Sequence, residues 1–475
     1  MTREWRNHVG NQVCHPRDIL MPESVEDVAA AVREAEALGS TIRMVGSGHA
    51  WSDIALTDGL LLRPNELTGI LPLDDGTLRP REACNELLVR VLAGTTIRDL
   101  NDALHARGLG LPNMGGYDAQ TIAGVISTST HGSGLSWGPF PDLVRSVDLV
   151  VSGGRQVRVE PAGGMTDESR FVGERLIQDD RIFDAAICGL GTLGIATSFV
   201  LSVREKFFLN EVRTLSSWEA ERDRLGPDGP LGDGDHYELL LNPYPRRGGG
   251  HRLLVTRRTE CPDPERLPSD RKRRHPLIEL QARIPLTKRL LRWAARKQPR
   301  VCACAFDGAL KAMQDDGYAA VSYRVFNIGE ANGVPALSME LGVPLEGGAH
   351  VQAVDRIIEI AARERRRGLI HTVPIALRFT KASRAVASMM HGRDTMMIEL
   401  ILIDGTRGGT ELLEIYEREL ADLGARSHWG QYNALTPERV RASYPALGQW
   451  LEVAGDFNAS GVFASPFTRR VALAG

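Results

Sequence analysis

A glycine-rich loop near the N-terminus carries the first residue that could do chemistry, a histidine. In RMVGSGHAWS, residues 43–52, a short apolar run opens into two glycines and a serine ahead of His49. With no Cβ atoms in the way, several backbone N–H groups of such a loop can point at one anion, so the loop predicts a phosphate cradle. A neutral imidazole there is a nucleophile, placed where a flat cofactor ring would continue from a bound pyrophosphate. Taken alone, a histidine in a glycine turn is more often a hydrogen-bonding loop residue.

A second glycine-rich block, PNMGGYDAQTIAGVISTSTHGSG, occupies residues 112–134. It combines a glycine pair at 115 and 116, small residues through 123–129 and a glycine-flanked histidine at 131. Small side chains let the backbone approach a large planar ligand. A buried glycine-rich turn is the structural alternative, but two such segments in one chain favour ligand binding.

A third glycine cluster has the spacing of a dinucleotide-binding fingerprint, at Gly189, Gly191 and Gly194. That fingerprint requires a strand before the glycines and a helix after them. Here RIFDAAIC before the glycines predicts a helix, and the β-branched IATSFVLSV after them predicts a strand. We therefore reject NAD binding at this cluster and expect a loop that carries backbone groups to a cofactor by another route.

Helices and strands are mixed along the whole sequence. Residues 23–38 and 96–107 have helical apolar spacing, TIRMVG at 41–46 and residues 87–94 predict strands, and Gly108 closes the second helix. From 320 onward, β-rich runs at 319–329, 336–345, 374–380 and 395–403 alternate with predicted helices at 350–367 and 409–423. The pattern predicts an α+β chain whose later part is a sheet covered by helices.

Length and composition limit the class of protein. A chain of 475 residues exceeds what one hydrophobic core usually serves, so two or three domains are expected. The formal charge of −3 gives no overall attraction to nucleic acid or anionic membrane, and no apolar stretch is long enough to span a bilayer. The N-terminus lacks the apolar core of a signal peptide, and the cysteines form no regular framework, so the cytoplasm fits best. Cys302 and Cys304 lack the spacing of a zinc site, and no metal is expected.

A basic stretch is the one feature that suggests a surface interaction. Arg271 to Arg274 precede PLIELQARIPLTKRLLRWAARK at 276–297, in which apolar and basic positions alternate. Such a pattern can bind a membrane surface, a partner or an acidic ligand. A solvated helix on the protein surface is the interpretation that we favour, because that is the usual fate of charge runs.

Five motifs taken together resemble the vanillyl-alcohol oxidase superfamily, whose FAD-binding domain is of the PCMH type. Within it, the sequence is similar to the sugar-lactone and alditol oxidases, over nearly the whole chain. The motifs are WRNHVGNQ at 5–12, VGSGHAWSDIA at 45–55, the block at 112–134, GTLGIAT at 191–197 and HWGQYN at 428–433.

The resemblance implies a fold and a cofactor. It implies an FAD-binding domain of two α+β subdomains at 1–203, a cap domain with an antiparallel sheet at 204–425, and a segment at 426–475 that returns to the flavin with His428 and Trp429. It also implies attachment of the flavin 8α-methyl group to His49. The other residues that match the family's FAD contacts are Met44, Val45, Gly46, Ser47, Gly48, Ala50, Gly115, Gly116, Thr121, Gly124, Thr128, Ser129, Thr130, His131 and Ile195.

Several positions depart from the family's pattern around the substrate. Arg378 is kept, but Ala376 stands where alditol oxidase has a glutamate, Gln431 where it has a lysine, and Gly116 where it has a serine that contacts substrate. The loss of these polar groups predicts a substrate other than a simple alditol. At the position of Gly115 the family controls oxygen access to flavin C4a, with alanine in a dehydrogenase relative and glycine in an oxidase. Glycine there predicts an oxidase.

Oxidation of CH–OH to C=O requires a base for the hydroxyl proton. Glu399 and Glu340 lie inside apolar strands and, if buried, would have raised pKa values that suit a base; an exposed face of a cap sheet explains either one equally well. His428 is the third candidate, with orientation of the C-terminal turn as its alternative role. Arg378 could stabilise negative charge on reduced flavin or on the alkoxide, or form a salt bridge in the cap sheet.

Three functional hypotheses follow. The first is a covalent flavoprotein oxidase that acts on a small-molecule alcohol or lactol, with molecular oxygen as the acceptor and hydrogen peroxide as the product. The second keeps the fold but makes the protein a dehydrogenase or amine oxidase for a bulkier, less polar molecule. The third is a non-enzymatic surface-binding protein that uses the basic stretch 271–300. The sequence predicts no oligomeric state.

Overall fold

A six-stranded and an eight-stranded β-sheet both line one cavity of the protein. The computed structural model describes residues 3–73, 76–80, 87–225, 231, 236–262, 286–328 and 335–473. The strands, in chain order, are β1 (Trp5–Arg6), β2 (Val13–Cys14), β3 (Asp18–Leu20), β4 (Ile42–Met44), β5 (Leu60–Leu62), β6 (Ile70–Leu71), β7 (Leu88–Leu92), β8 (Leu109–Gly110), β9 (Val144–Val151), β10 (Arg155–Glu160), β11 (Leu176–Gln178), β12 (Ile195–Ser202), β13 (Arg204–Glu205), β14 (Phe208–Ser217), β15 (His236–Pro245), β16 (His251–Cys261), β17 (Asp315–Val321), β18 (Ala336–Pro344), β19 (Ile375–Thr380), β20 (Thr395–Ile403) and β21 (Arg426–Ser427).

The α-helices of the described residues are Val25–Ala37, Ile97–Ala106, Ile122–Ser127, Asp180–Ala186, Trp218–Glu221, Leu286–Lys297, Pro299–Ala312, Ser322–Phe326, Ala349–Arg367, Gly409–Glu419, Pro437–Ser443, Leu447–Phe457 and Pro466–Arg470. Within the described residues, no helix combines the length and the apolar run that crossing a bilayer would require.

The first part of the chain builds a three-stranded parallel sheet, in the order β3-β5-β4, and a six-stranded sheet, in the order β11-β10-β9-β12-β7-β6. The helix Val25–Ala37 covers the smaller sheet. It begins at a capping box formed by Ser24 and Asp27, and it buries Val28 and Val32 against β4 and β5. The helix therefore fixes the position of β4, which leads directly into the loop of His49.

The later part of the chain builds an eight-stranded sheet, in the order β17-β14-β16-β15-β19-β20-β18-β21, with antiparallel pairs throughout. Its two faces differ because side chains alternate along each strand. On β20, Ile398, Leu400 and Leu402 pack into the core beneath the helices Ala349–Arg367 and Gly409–Glu419. Glu399 and Ile401 point to the opposite face, which lines the cavity. The predicted α+β chain with a helix-covered antiparallel sheet is confirmed.

Most of the predicted elements are confirmed, and one is corrected. The sequence predicts a β-rich run at 319–329, but β17 ends at Val321 and a helix spans Ser322–Phe326. The helix forms because Val325 and Phe326 are both buried in the core, where Phe326 packs edge-on against Phe207. Tertiary packing there overrides the strand propensity of valine, tyrosine and phenylalanine. Residues 263–285, which hold the basic run Arg271 to Arg274, lie outside the described residues.

The end of the described chain packs back on its beginning. The N–H of Ile42 donates to the Val462 carbonyl at 2.8 Å, and the N–H of Trp51 donates to the Gly430 carbonyl at 2.8 Å. Arg470 forms an ion pair with Asp53 at 2.6 Å. The loop that carries His49 is thus held by residues more than 370 positions later in the sequence, including Trp429, whose carbonyl accepts from Ser52 Oγ.

Candidate active site

A cavity of about 610 Å³ lies between the glycine-rich loops and the eight-stranded sheet. It brings together segments that lie far apart in the sequence. The predicted site residues that line it are Met44, Val45, Gly46, Ser47, Gly48, His49, Ala50, Gly115, Gly116, Thr121, Gly124, Thr128, Thr130, His131, Ile195, Glu340, Arg378, Glu399 and His428.

The loop after β4 follows a course that only glycine permits at two positions. A Cβ on Gly46 would lie 2.0 Å from Thr121 Oγ1, and Gly48 has a φ of +72°. The loop therefore lies directly against Thr121, which caps the helix Ile122–Ser127. Ser47 Oγ fixes the outer side of the loop by donating to the Ala119 carbonyl at 2.6 Å. A loop with two glycines whose serine side chain is bonded elsewhere fits a phosphate group held by backbone N–H groups.

His49 lies between two other rings at the edge of the cavity. The ring centroid of His8 is 4.2 Å away and that of Tyr117 is 4.7 Å away. Burial, together with the charge of His8, lowers the pKa of His49 to about 4, so its imidazole is neutral at physiological pH. A neutral ring keeps a lone pair for bond formation. His8 and Tyr117 were not among the predicted site residues, although both occur inside the quoted motifs.

One predicted contact does not reach the cavity. Ser129 has a φ of +58°, is fully buried and shares a 2.7 Å hydrogen bond with the hydroxyl of Ser388. Its side chain thus joins the glycine-rich block to the segment before β20, while Thr128 and Thr130 on either side line the cavity. Ser129 lies in the turn that ends the helix Ile122–Ser127, and its left-handed backbone directs the side chain to Ser388.

The glycine turn at 189–194 reaches the cavity from a helix and leads into a strand, as predicted. The helix Asp180–Ala186 precedes it and β12 follows it, the reverse of the order in a dinucleotide-binding fingerprint. Buried Arg43 on β4 holds the turn by donating to the carbonyls of Leu190 and Gly191, both at 2.9 Å. Ile195 lines the cavity at the start of β12.

Across the cavity, the eight-stranded sheet presents a buried network of carboxylates and guanidinium groups. Arg378 donates to Glu238 at 3.1 Å and to Glu399 at 2.7 Å. Arg258 donates to the same Glu238 at 3.1 Å and to Glu211 at 2.7 Å. The network arises because Glu238 and Arg378 are directly opposite on β15 and β19, as Glu211 and Arg258 are on β14 and β16. Glu238, Arg258 and Glu211 were missed by the sequence analysis.

Glu340 connects this network to the glycine-rich block. Its Oε1 atom lies 3.2 Å from His131 Nε2 and 3.7 Å from Arg378 Nη1. Burial alone would raise the pKa of Glu340, but the charge and hydrogen bond of His131, with His428 and Arg378, lower it to about 2. His131 Nδ1 lies 2.8 Å from the Gly132 carbonyl oxygen, so contacts at both ring nitrogens hold His131 in place. Glu340 is therefore committed to an ion pair.

Glu399 differs from Glu340 in its electrostatics. Burial raises the pKa of Glu399 above its usual range, and repulsion from Glu340 and Glu238 adds to the effect, while Arg378 opposes it. The two carboxylates face each other at paired positions of β18 and β20. Since like charges in one site push their pKa values apart, Glu399 is the group of this pair that can take up a proton.

His428 is positioned as a hydrogen-bond donor. Burial lowers the pKa of His428 to about 4, and its Nδ1 atom accepts from the Gly430 N–H at 3.0 Å. A neutral ring that accepts at Nδ1 carries its proton on Nε2. Beside it, the Oε1 atom of Gln431 is buried and has no hydrogen-bond partner within the described part of the chain, although Gln431 lines the cavity. An unpartnered buried acceptor fits a ligand that donates a hydrogen bond.

The far wall of the cavity is apolar. The helix Pro299–Ala312 contributes Cys302, Phe306 and Ala309, and β20 contributes Ile401 and Ile403. The ion-pair network of Arg378, Arg258 and their carboxylate partners includes none of these five residues. The cavity is thus polar where it meets the glycine-rich block and apolar at the opposite end.

Two family models match the chain in succession. The model described as "FAD binding domain" matches residues 16–160, and the model described as "D-arabinono-1,4-lactone oxidase" matches residues 235–471. The first range contains the His49 loop and the glycine-rich block. The second contains the eight-stranded sheet from β15 onward and His428.

Two curated relatives match over nearly the full length of this chain, and a third matches over part of it. An L-gulono-1,4-lactone dehydrogenase of Mycobacterium tuberculosis is 28% identical over 471 residues, with 99% of each chain covered. An alditol oxidase of a Streptomyces species is 26% identical over 483 residues, again with 99% of each chain covered. A D-arabinono-1,4-lactone oxidase of Eremothecium gossypii is 32% identical over 221 residues, which are 46% of this chain and 37% of that protein.

Among solved structures, a cholesterol oxidase from B. sterolicum superposes with a TM-score of 0.73 at 14% sequence identity, covering 99% of this chain and 97% of that one. This likeness establishes the fold. The two matched domains, the full-length relatives and the cavity residues agree with the resemblance drawn from the motifs. The chain belongs to the FAD-binding oxidoreductases that join these two domains, the family of the sugar-lactone and alditol oxidases.

Proposed function

We propose that this protein is an oxidase that carries FAD covalently on His49, oxidises a CH–OH group and passes the electrons to molecular oxygen, which yields hydrogen peroxide. The observation that carries the proposal is the position of neutral His49 on the same cavity as Glu399, Arg378 and the glycine-rich loops. Bound FAD would supply the acceptor for the hydride of the alcohol. A neutral imidazole is the form of histidine that can bond to carbon.

The residues of the sheet would provide the proton chemistry. Glu399 takes the hydroxyl proton, because its pKa is raised towards neutral pH, whereas the pKa of Glu340 is lowered. Arg378 stays protonated, since the carboxylates around it outweigh burial and raise its pKa, and it stabilises the alkoxide as the proton leaves. His428 donates from Nε2 and holds the oxygen atom of the substrate in place. Glu340 fixes His131 through the 3.2 Å contact between Glu340 Oε1 and His131 Nε2.

The domain limits of the sequence analysis remain our proposal: an FAD-binding domain at 1–203, a cap at 204–425 and a returning segment at 426–475. Support comes from the six-stranded sheet, whose last strand ends at Ser202, and from the eight-stranded sheet, whose first strand begins at Phe208. We also propose a cytoplasmic location, because the described cysteines carry free thiols, as in a reducing compartment.

A dehydrogenase is the second candidate, and one observation favours it: the relative from Mycobacterium tuberculosis is named a dehydrogenase. Oxygen consumption compared with dye reduction, over a panel of polyols, sugar lactones and apolar alcohols, separates the two. We expect substrate-dependent oxygen uptake with equimolar peroxide. A yellow protein that reduces dye but takes up no oxygen would be a dehydrogenase. A colourless acid precipitate would contradict covalent flavin, and a preparation without any colour would favour a surface-binding protein that uses residues 271–300.

Gly115 gives a sharper test of the acceptor. A Cβ at this position would lie 3.4 Å from the His131 carbonyl oxygen and 3.6 Å from Thr130 Cγ2, so Gly115→Ala adds a methyl group without a clash. We expect the variant to reoxidise with oxygen about tenfold more slowly, equivalent to ~1.4 kcal/mol in the barrier. Anaerobic reduction of the flavin by substrate, followed in a stopped-flow spectrophotometer, serves as the internal control and stays unchanged. Equal reoxidation rates would show that Gly115 does not govern oxygen access.

A further inference from the structure

We propose that the apolar end of the cavity is a binding site for the hydrocarbon body of a neutral alcohol, so that the preferred substrate has a hydroxyl head and an apolar tail. This inference rests on the proposed oxidase function and specifies its substrate class.

The polarity of the sheet changes along the strands that line the cavity. On β20 the residues that face the cavity are Glu399, Ile401 and Ile403 in order, and on β19 they run from Arg378 to Ala376. At a rise of 3.3 Å per residue, the row from Glu399 to Ile403 is about 13 Å long. A substrate whose hydroxyl lies at Glu399 would therefore have its body beside Ile401 and Ile403.

The helix Pro299–Ala312 closes the other side of this row. Cys302, Phe306 and Ala309 face the cavity at helical spacing, and Leu291 joins them from the preceding helix. Burial raises the pKa of the Cys302 thiol, so this group is uncharged at neutral pH. The walls on both sides of the space are therefore hydrocarbon or neutral sulfur.

Polar groups near the apolar end already have partners inside the protein. The Thr372 hydroxyl accepts from the Ile403 N–H at 2.9 Å and shares a 2.9 Å hydrogen bond with Thr406. Asn242, on β15, donates to Asp307 at 2.9 Å. A polyhydroxylated body placed here would lose its hydrogen bonds to water without replacement, whereas a hydrocarbon body would lose none.

At the charged end of the cavity, the arginines and carboxylates already form ion pairs with one another. Arg378 and Arg258 bridge Glu238, and each has a further carboxylate partner in Glu399 or Glu211. A carboxylate on the substrate would have to displace one of these buried ion pairs, which is costly. The network therefore favours an uncharged substrate.

The test compares straight-chain secondary alcohols of increasing length with polyols of equal carbon number, using the flavin-loaded enzyme and oxygen uptake. We expect kcat/KM to rise about fourfold for each added CH₂, from about 0.8 kcal/mol per buried methylene, until the tail exceeds the apolar row. Binding of the matching straight-chain ketones, measured by calorimetry, should tighten in the same steps with a negative heat-capacity change.

A variant pair locates the site. Ala309→Phe fills the apolar end and should abolish the gain in kcat/KM for the longest alcohols. Gly308→Phe places the same side chain on the same helix where a Cβ meets nothing within 4 Å, and it should behave as wild type. The wild-type length series keeps the test decisive if Ala309→Phe does not fold.

The outcomes separate the two proposals. Preferred oxidation of polyols or lactones, or ketone affinity that does not depend on chain length, would overturn the apolar site and leave the oxidase intact. Absence of both flavin and turnover would overturn the oxidase itself.

Discussion

Replacement of Glu399 by glutamine should lower kcat by about 100- to 10,000-fold, the range that positioned acid–base groups contribute. The amide can still accept the hydrogen bond from Arg378 Nη1, which is 2.7 Å long in the native protein. It cannot take the hydroxyl proton of the substrate. The loss should therefore fall on flavin reduction, measured anaerobically, with little change in the spectrum of the bound flavin.

The pH profile of the same variant separates a base from a merely structural residue. Burial raises the pKa of Glu399. In the wild type, kcat/KM should therefore rise with pH at values above the usual pKa range of a glutamate. This rise should disappear in Glu399→Gln. Glu260→Gln, which removes an exposed carboxylate paired with Arg204, is the matched control and should keep both rate and profile. If Glu399→Gln retained more than a tenth of wild-type kcat, the proton acceptor would have to be another group.

Replacement of His49 by alanine should remove all covalently held flavin. The wild-type protein should give a yellow acid precipitate, whereas flavin bound by His49→Ala should remain in the supernatant. The glycine-rich loop is unchanged in the variant, so FAD should still bind without a covalent bond. Part of this FAD should separate from the protein during gel filtration. Mass spectrometry of the intact chain measures the difference directly, because the wild-type mass should exceed that of the apoprotein by one FAD.

The control for this experiment is a second histidine outside the cavity. His15 is exposed and does not line the site, so His15→Ala should keep the full flavin mass. His8→Ala provides an additional test, because the ring centroids of His8 and His49 are only 4.2 Å apart but His8 is not the proposed attachment residue. The His8→Ala variant should also keep covalent flavin. A yellow precipitate from His49→Ala would show that the attachment residue lies elsewhere.

Local sequence signals predicted the cofactor side of the site. The loop at 43–52 and the block at 112–134 are each continuous in sequence, and each is marked by glycines that the backbone requires, such as Gly46 against Thr121. The helix and strand around the turn at 189–194 followed from propensity and periodicity alone. Ser129 lies inside the predicted block but faces Ser388, because a continuous motif does not state which side chains point inward.

The substrate side was less predictable because it depends on strand pairing. Glu238 and Arg378 are 140 residues apart and meet only because β15 pairs with β19 in one register. A shift of one residue in this register would send one of the two side chains to the opposite face of the sheet. Glu340 and Glu399 were recognisable as carboxylates in apolar strands, but their different pKa shifts arise from His131 and from each other. Glu238 shows the same signal as Glu340 and Glu399, a single carboxylate inside an apolar strand, here the run HYELLL.

The contacts of Arg43 have a consequence for biosynthesis. This side chain joins the strand before the His49 loop to the turn at 190–191 and to the Phe463 carbonyl, 420 residues away, and Arg470 reaches Asp53 across 417 residues. Contacts of such long sequence separation form late in folding, because the loops between them must close first. A ribosome-bound chain that ends before Phe463 would lack these supports for the His49 loop. Flavin attachment should therefore be a post-translational event, absent from stalled nascent chains and present only after release of the polypeptide.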